Sequence, residues 1–293
     1  MKIALFGGSG FVGSNLLSTL QKKNYDVFEI SRAPISDKSF RADISQWNEL
    51  EKIDMQFDIV VICSSRLPQQ EYNTKDLFDF VNINIIGVNN ILLWSKERKV
   101  SKIIFSSTLS FLPCSDSQDE TELIDIGSHY MYKVSKASAE HFLIGFCKSE
   151  KIDFCSLRIA SVYGVGMKKD ILFNFTSKII KGEKIFLENS NLTADFIHID
   201  DVIKVIVKCI ENSVPAQVLN VASGNPTSLI DLITLIGKLL NVSSLPEMII
   251  KSSKPINQKR YSAQKMKKMV SDRVPLSEGL NELIKDWYAN SYF

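Results

Sequence analysis

The first 20 residues constrain the fold more than any other stretch. Lys2-Ile3-Ala4-Leu5-Phe6 reads as a buried strand and runs directly into Gly7-Gly8-Ser9-Gly10-Phe11-Val12-Gly13, after which Leu16, Leu17 and Leu20 follow helical spacing. A strand that turns through glycines into a helix lets backbone approach a pyrophosphate. The helix N-terminus then adds free N–H groups and a partial positive charge. Gly7, Gly10, Phe11, Val12 and Gly13 are therefore candidate phosphate-side residues.

Similar apolar runs recur at Asp26 to Ile30, Phe57 to Cys63, Lys102 to Ser106 and Phe154 to Arg158, separated by helical or loop-forming segments. Such alternation predicts parallel strands joined by crossover helices. Long helices are expected over Asn82 to Arg98 and Tyr132 to Glu150, and shorter ones over Ile171 to Lys181, Leu229 to Leu240 and Glu278 to Asp286. The expected fold class is α/β: a Rossmann-type doubly wound parallel sheet with a smaller, mixed α/β C-terminal substrate lobe. Residues 1–165, joined by parts of 195–222, would form the dinucleotide-binding domain, and 166–293 the substrate lobe.

Chemistry enters with Tyr132 and Lys136, four residues apart and so on one face of the second long helix. An ammonium beside a phenol favours the phenolate, drawing the Tyr pKa down from about 10. Such a Tyr can move a proton to or from an alcohol oxygen. Tyr261 and Lys265 share the spacing, so context has to choose between the pairs.

A net charge of +2 argues against general nucleic-acid affinity, and the basic stretch Lys251 to Arg273 reads as a solvated face with a few charges able to meet a substrate phosphate. Cys63, Cys114, Cys147, Cys155 and Cys209 show no paired metal spacing and are odd in number, so neither a metal site nor a disulfide framework is expected. His129, His141 and His198 are scattered and read as polar or packing residues. The apolar start is too short for a signal peptide and no apolar run approaches 18 residues, giving the expectation of a soluble, cytoplasmic protein away from membranes.

Together these residues resemble the extended short-chain dehydrogenase/reductase superfamily, the NAD(P)-dependent nucleotide-sugar epimerases, dehydratases and reductases. The resemblance runs through the glycine turn, Asp43-Ile44, Asn84-Ile85-Ile86-Gly87, Phe105-Ser106-Ser107-Thr108, Tyr132 to Lys136 with Glu140, Val162-Tyr163-Gly164, Asp195 to Asp201 and Ser277-Glu278-Gly279-Leu280. It implies Tyr132 as acid/base, Lys136 as the residue that holds the nicotinamide ribose and tunes Tyr132, and Thr108 as a third hydroxyl on the substrate oxygen. Tyr261/Lys265 is then the chance pair. Asp43 and Ile44 are expected at the adenine, and Ser64, Ser65 and Asn84 near the pyrophosphate and nicotinamide. Arg66, Leu109, Ser161, Leu172, Thr193 and Arg260 are expected around a nucleotide-sugar substrate. The resemblance also implies a homodimer built on the two long helices, although Ile91, Leu92, Phe142 and Phe146 suit either that interface or the monomer core.

Ser31, where NAD-preferring members carry an acid, and Arg32 suit an adenosine 2′-phosphate, so NADP(H) is expected over NAD(H). Leu109-Ser110 stands where related 4,6-dehydratases have an Asp-Glu pair, which disfavours dehydration, and Thr108 replaces the Cys of 4-keto-6-deoxymannose epimerase-reductases. The leading expectation is an NADPH-dependent 4-keto-6-deoxyhexose nucleotide reductase. A nucleotide-sugar 4-epimerase with tightly bound NAD is the alternative. Ala194, in place of a diphosphate-gripping Arg, means either that Arg260 or one of Lys251, Lys254 and Lys259 compensates or that the substrate is not a nucleotide diphosphate sugar. A third reading is a catalytically silent dinucleotide-binding regulator, suggested by Cys63-Ser64-Ser65 and by Phe111-Leu112-Pro113 where relatives have Val-Tyr-Gly.

Overall fold

Five of the apolar runs become neighbouring strands of a single sheet. In chain order the first elements are β1 (Lys2–Phe6), α1 (Phe11–Lys22), β2 (Asp26–Ser31), β3 (Ser39–Arg41), α2 (Trp47–Leu50), β4 (Ile59–Ile62) and α3 (Thr74–Asp79). A π-helical stretch, Phe80–Gly87, continues into α4 (Val88–Glu97), followed by β5 (Lys102–Thr108), α5 (Met131–Glu150) and β6 (Asp153–Ile159). The remainder comprises β7 (Ser161–Tyr163), α6 (Ile171–Lys181), β8 (Ile185–Leu187), β9 (Thr193–Ala194), β10 (Phe196–His198), α7 (Ile199–Glu211), β11 (Gln217–Val221), β12 (Thr227–Ser228), α8 (Leu229–Leu239), β13 (Met248–Ile250), α9 (Gln264–Met269) and α10 (Leu276–Ala289). The computed structural model describes residues 1–68, 74–112, 119–121, 131–167, 170–211, 217–255 and 260–293; Cys114, His129 and Lys259 lie outside them.

Seven strands form the main sheet in the order β11-β6-β5-β4-β1-β2-β3. β1 pairs in parallel with β2 on one side (Lys2 with Asp26) and with β4 on the other (Ile3 with Ile59). The strand order reverses at β1, and open α/β sheets bind ligands beyond the strand ends at such a point. Residues 59–62 are buried throughout, as central parallel strands covered on both faces should be.

The chain divides into two compact units: Met1–Leu112, Glu122–Ile159 and Ile203–Asn220 form the first, and Pro113–Thr121, Ala160–Val202 and Val221–Phe293 the second. In the first, Trp94 packs edge-on to Phe6 with ring centres 5.5 Å apart and tilted against Phe57 at 5.6 Å. Ala139, Leu143 and Cys147 recur every four residues on α5 and join the same core. Ile91 and Leu92 are core residues too, whereas Phe142 is 55% exposed. The second unit has its own core around Tyr163, Leu172, Phe175, Ile233 and Trp287. There the Trp287 indole donates to the Met167 carbonyl at 2.7 Å.

Among the described residues one helical run, Asp76–Glu97, is long and apolar enough to cross a membrane by length and composition. Its Phe80, Val88, Ile91, Leu92 and Trp94 lie in the core of the first unit, where they already have apolar partners. Gly87 ends the π-helical stretch against Ile44: a Cβ there would lie 2.6 Å from Ile44 Cγ1 and 2.7 Å from Cδ1.

Candidate active site

A cavity of about 460 Å³ opens in the first unit beyond the C-terminal ends of β1, β2 and β4. The glycine turn forms part of its wall. Gly7 adopts φ +84° and lies so close to the next strand that a Cβ would meet the Ser64 amide nitrogen at 2.6 Å. A Cβ on Gly13 would lie 2.0 Å from the Gly7 carbonyl oxygen, so only glycine lets α1 pack this tightly on β1. At Gly10 the nearest atom to an added Cβ is 3.4 Å away, which leaves that position open to the cavity. No side chain caps α1, whose first N–H groups are those a pyrophosphate would use. The Ser64 hydroxyl, in the same lining, is buried without a protein partner. A dinucleotide fits these features.

Arg32, Asp43, Ile44, Ser65 and Arg66 line the same cavity, together with Ser31. Ser31 is oriented by a neighbour: its hydroxyl donates to Glu29 Oε1 at 2.9 Å, while Glu29 Oε2 accepts the backbone N–H groups of Ile35 and Ser36 at 2.7 and 3.0 Å. Glu29 is fully buried, and its carboxylate holds the turn after β2. An acid within the apolar run Val27 to Ile30 was the signal in the sequence; its direction required the structure.

Asn84 differs from expectation. It is 1% exposed, and its amide is engaged by the backbone and side chains of Ser65, Arg66 and Ser135, so its side-chain donors and acceptors are taken up within the protein. The Arg66 guanidinium bonds Asp76 at 2.6 Å and lies 3.6 Å from Asp79, which draws it onto α3.

α5 carries Tyr132 and Lys136 one turn apart. Tyr132 is half-buried, its ring 6.1 Å from that of Phe80. Lys136 is buried, with Nζ donating to the Ser106 carbonyl at 2.7 Å and lying 4.3 Å from the centre of the Phe105 ring. Those two contacts favour the ammonium. Burial opposes them more strongly and pushes the Lys136 pKa down to about 8, with Cys63 and Glu140 offsetting part of the shift. Burial likewise raises the Cys63 thiol to about 11, so it stays protonated at neutral pH. Glu140 is itself held by Ser156 at 2.7 Å and by both Nε and Nη2 of Arg158 at 2.9 and 2.8 Å. Thr108 ends β5, and its hydroxyl donates to Ser110 Oγ at 3.1 Å.

Two of the expected substrate contacts are core residues. Leu109 is 1% exposed in the first unit and Leu172 fully buried in the second, so neither side chain is available to a ligand. Ser161, Thr193 and Arg260 belong to the second unit, where Ser161 and Arg260 are exposed and Thr193 pairs with Ser228 between β9 and β12. Sequence reasoning missed Ser110 and Ser135, whose hydroxyls touch Thr108 and the Tyr132 carbonyl. Only their closeness in the chain to Thr108 and Tyr132 could have flagged them.

Known proteins share this fold. The chain is 25% identical to the UDP-glucuronic acid 4-epimerase of Bacillus cereus, solved in complex with NAD, with a TM-score of 0.85 and 100% of both chains covered. The UDP-glucose 4-epimerase of Thermotoga maritima, solved with UDP-glucose, has the same fold at 22% identity and a TM-score of 0.84, covering 99% of this chain and 100% of that one. A putative UDP-glucose 4-epimerase of Methanocaldococcus jannaschii is 24% identical over 255 residues, 80% of this chain and 81% of its own. A profile of the NAD dependent epimerase/dehydratase family matches residues 3–222, from the first strand to the end of β11, and the chain belongs to that family.

Proposed function

We propose that this protein is a nucleotide-sugar 4-epimerase that retains NAD. Bound NAD supplies a hydride acceptor that becomes the donor when the same carbon is reduced again. Tyr132 takes the proton from the sugar hydroxyl as hydride leaves and returns one when hydride comes back. The Lys136 ammonium steadies the phenolate that starts and ends the cycle, and Thr108 shares the substrate oxygen. Retention of all three, with Lys136 enclosed as described, supports an enzyme over a silent dinucleotide-binding regulator.

The observation that carries the choice is the Ser31–Glu29 hydrogen bond. A 2′-phosphate needs donors, yet the single Ser31 proton is engaged by Glu29, and a buried carboxylate lies directly behind it. A ribose hydroxyl can instead donate to the Ser31 lone pairs. This reverses the weight given to Ser31-Arg32 and favours NAD(H) over NADP(H). With it falls the main support for a reductase drawing on NADPH. The Bacillus cereus 4-epimerase, solved in complex with NAD, and the putative 4-epimerase of Methanocaldococcus jannaschii support the same reading. Dehydration has no support either, because Leu109 is enclosed and Ser110 bonds Thr108 where an acid pair would be needed.

We further read the exposed Val81, Leu93, Val134 and Phe142 of the long helices as the face that meets a second copy in a homodimer. The described cysteines Cys63, Cys147, Cys155 and Cys209 are free thiols, which supports a reducing, cytoplasmic setting.

The test is to incubate the purified protein with UDP-glucose or UDP-glucuronic acid without added cofactor and follow inversion at C4 by proton NMR. Conversion to an equilibrium mixture, with NAD released on denaturation, is expected. Stoichiometric NADPH consumption with a 4-keto-6-deoxyhexose nucleotide, and no inversion, would return the assignment to the reductase.

A further inference from the structure

We propose that Asn84 is a positioning residue that ties the chain leaving β4 to the first turn of α5, so that the wall of the cofactor cavity and Tyr132 keep one fixed relation. The proposal rests on the reading of Tyr132 as acid/base. Asn84 Oδ1 accepts the Arg66 N–H at 2.7 Å and the Ser65 hydroxyl at 3.1 Å. Its Nδ2 donates to the Arg66 carbonyl at 3.1 Å and to Ser135 Oγ at 2.9 Å. Two lone pairs and two protons are all a primary amide has, so no group is left for a ligand.

The chain of bonds continues toward the chemistry. Ser135 Oγ, having accepted from Asn84, donates to the Tyr132 carbonyl at 2.8 Å. At the other end, Ser65 and Arg66 line the cofactor cavity. The π-helical stretch that carries Asn84 also supplies Phe80, whose ring lies 6.1 Å from the Tyr132 ring at an interplanar angle of 56°. One irregular turn thus reaches Tyr132 twice, through its backbone by way of Ser135 and through its ring by way of Phe80. A buried polar network with every member satisfied is stiff and specifies one arrangement. π-helical turns also concentrate at functional sites. Only an amide of this length can serve: aspartate would lack both donors, and leucine all four bonds.

Because Asn84 has four partners, its own replacement confuses folding with positioning, so the test is made at Ser135 in the full-length, NAD-loaded protein. 3-Fluorotyrosine at position 132 gives a ¹⁹F signal that reports the order of that ring without any sugar substrate. Ser135→Ala is expected to broaden or split that resonance and to lower kcat roughly 10- to 100-fold while KM changes less than about threefold. Ser135→Thr, which keeps the hydroxyl, should restore a single sharp resonance and most of kcat. A Ser135→Ala protein with a wild-type resonance, or a kcat loss that Ser135→Thr does not recover, overturns the proposal. If wild type inverts no nucleotide sugar, the epimerase reading fails, while the ¹⁹F comparison still decides the role of Asn84.

Discussion

Lys136 Nζ donates to the Ser106 carbonyl oxygen across 2.7 Å, in a setting dry enough to bring the ammonium pKa to about 8 from 10.5. The unfolded chain therefore binds more protons than the folded one between those values, and stability rises with pH across that window. Below pH 8 the cost of enclosing the charge is present in full. Lys136→Met should raise stability at pH 7 by on the order of 1–3 kcal/mol, and the gain should shrink as pH climbs from 8 toward 10.5. Thermal melts of both proteins at pH 7 and pH 10 check this; an equal difference at the two pH values contradicts it.

Removing the Tyr132 hydroxyl leaves cofactor and sugar in place but nothing to carry the proton. Tyr132→Phe should reduce kcat about 10²- to 10⁴-fold with KM little changed and NAD retained. Steady-state kinetics together with the absorbance of released NAD separate this from lost binding.

Gly13 has no room for a methyl group, since the obstructing atom 2.0 Å away is backbone oxygen rather than a flexible side chain. Gly13→Ala should force α1 off β1, cost about 1–3 kcal/mol of stability and release NAD during purification. Cofactor content per protein chain and a melting curve are the measurements, and a full complement of NAD would be the contrary result.

How far the sequence could be read depended on the range over which each residue acts. The strand, glycine turn and helix at residues 2–22 were legible because the participants follow one another directly in the chain. That Tyr132 and Lys136 lie one turn apart on a single helix was legible for the same reason. Asn84 was not, because its partners sit 18, 19 and 51 residues away and no periodicity links them. Nor was the π-helical stretch, since its apolar pattern resembles that of an α-helix. Leu172 illustrates a different limit: an apolar residue suits a substrate wall and a core alike, and burial alone distinguishes them.

Cofactor choice offers a direct test of the turn after β2. Wild type should hold NAD at least about tenfold more tightly than NADP, and Glu29→Gln, which removes the buried charge, should narrow that ratio roughly threefold to tenfold. Isothermal titration of the cofactor-stripped protein measures both ratios. A preference for NADP in the wild type would restore the original expectation.

Phe142 leaves more than half its surface exposed on α5 and has no role in the monomer core that would resist a charge. Phe142→Glu should convert a wild-type dimer into a monomer at micromolar concentration, seen by sedimentation velocity, with melting little altered. A monomeric wild type would remove the proposed interface.

The contact between Gly87 and Ile44 has a consequence for how variants of this protein are sorted. Ile44 lines the candidate cofactor cavity, as does Ile83, and Gly87, one turn beyond Ile83 in the same stretch, packs directly against Ile44. A larger residue at position 87 should displace the Ile44 side chain from its place in the cavity wall. A screen scored by survival alone would file such variants as folding lesions, when their first defect should be a weakened grip on the nucleotide, relieved by trimming Ile44 to valine or alanine.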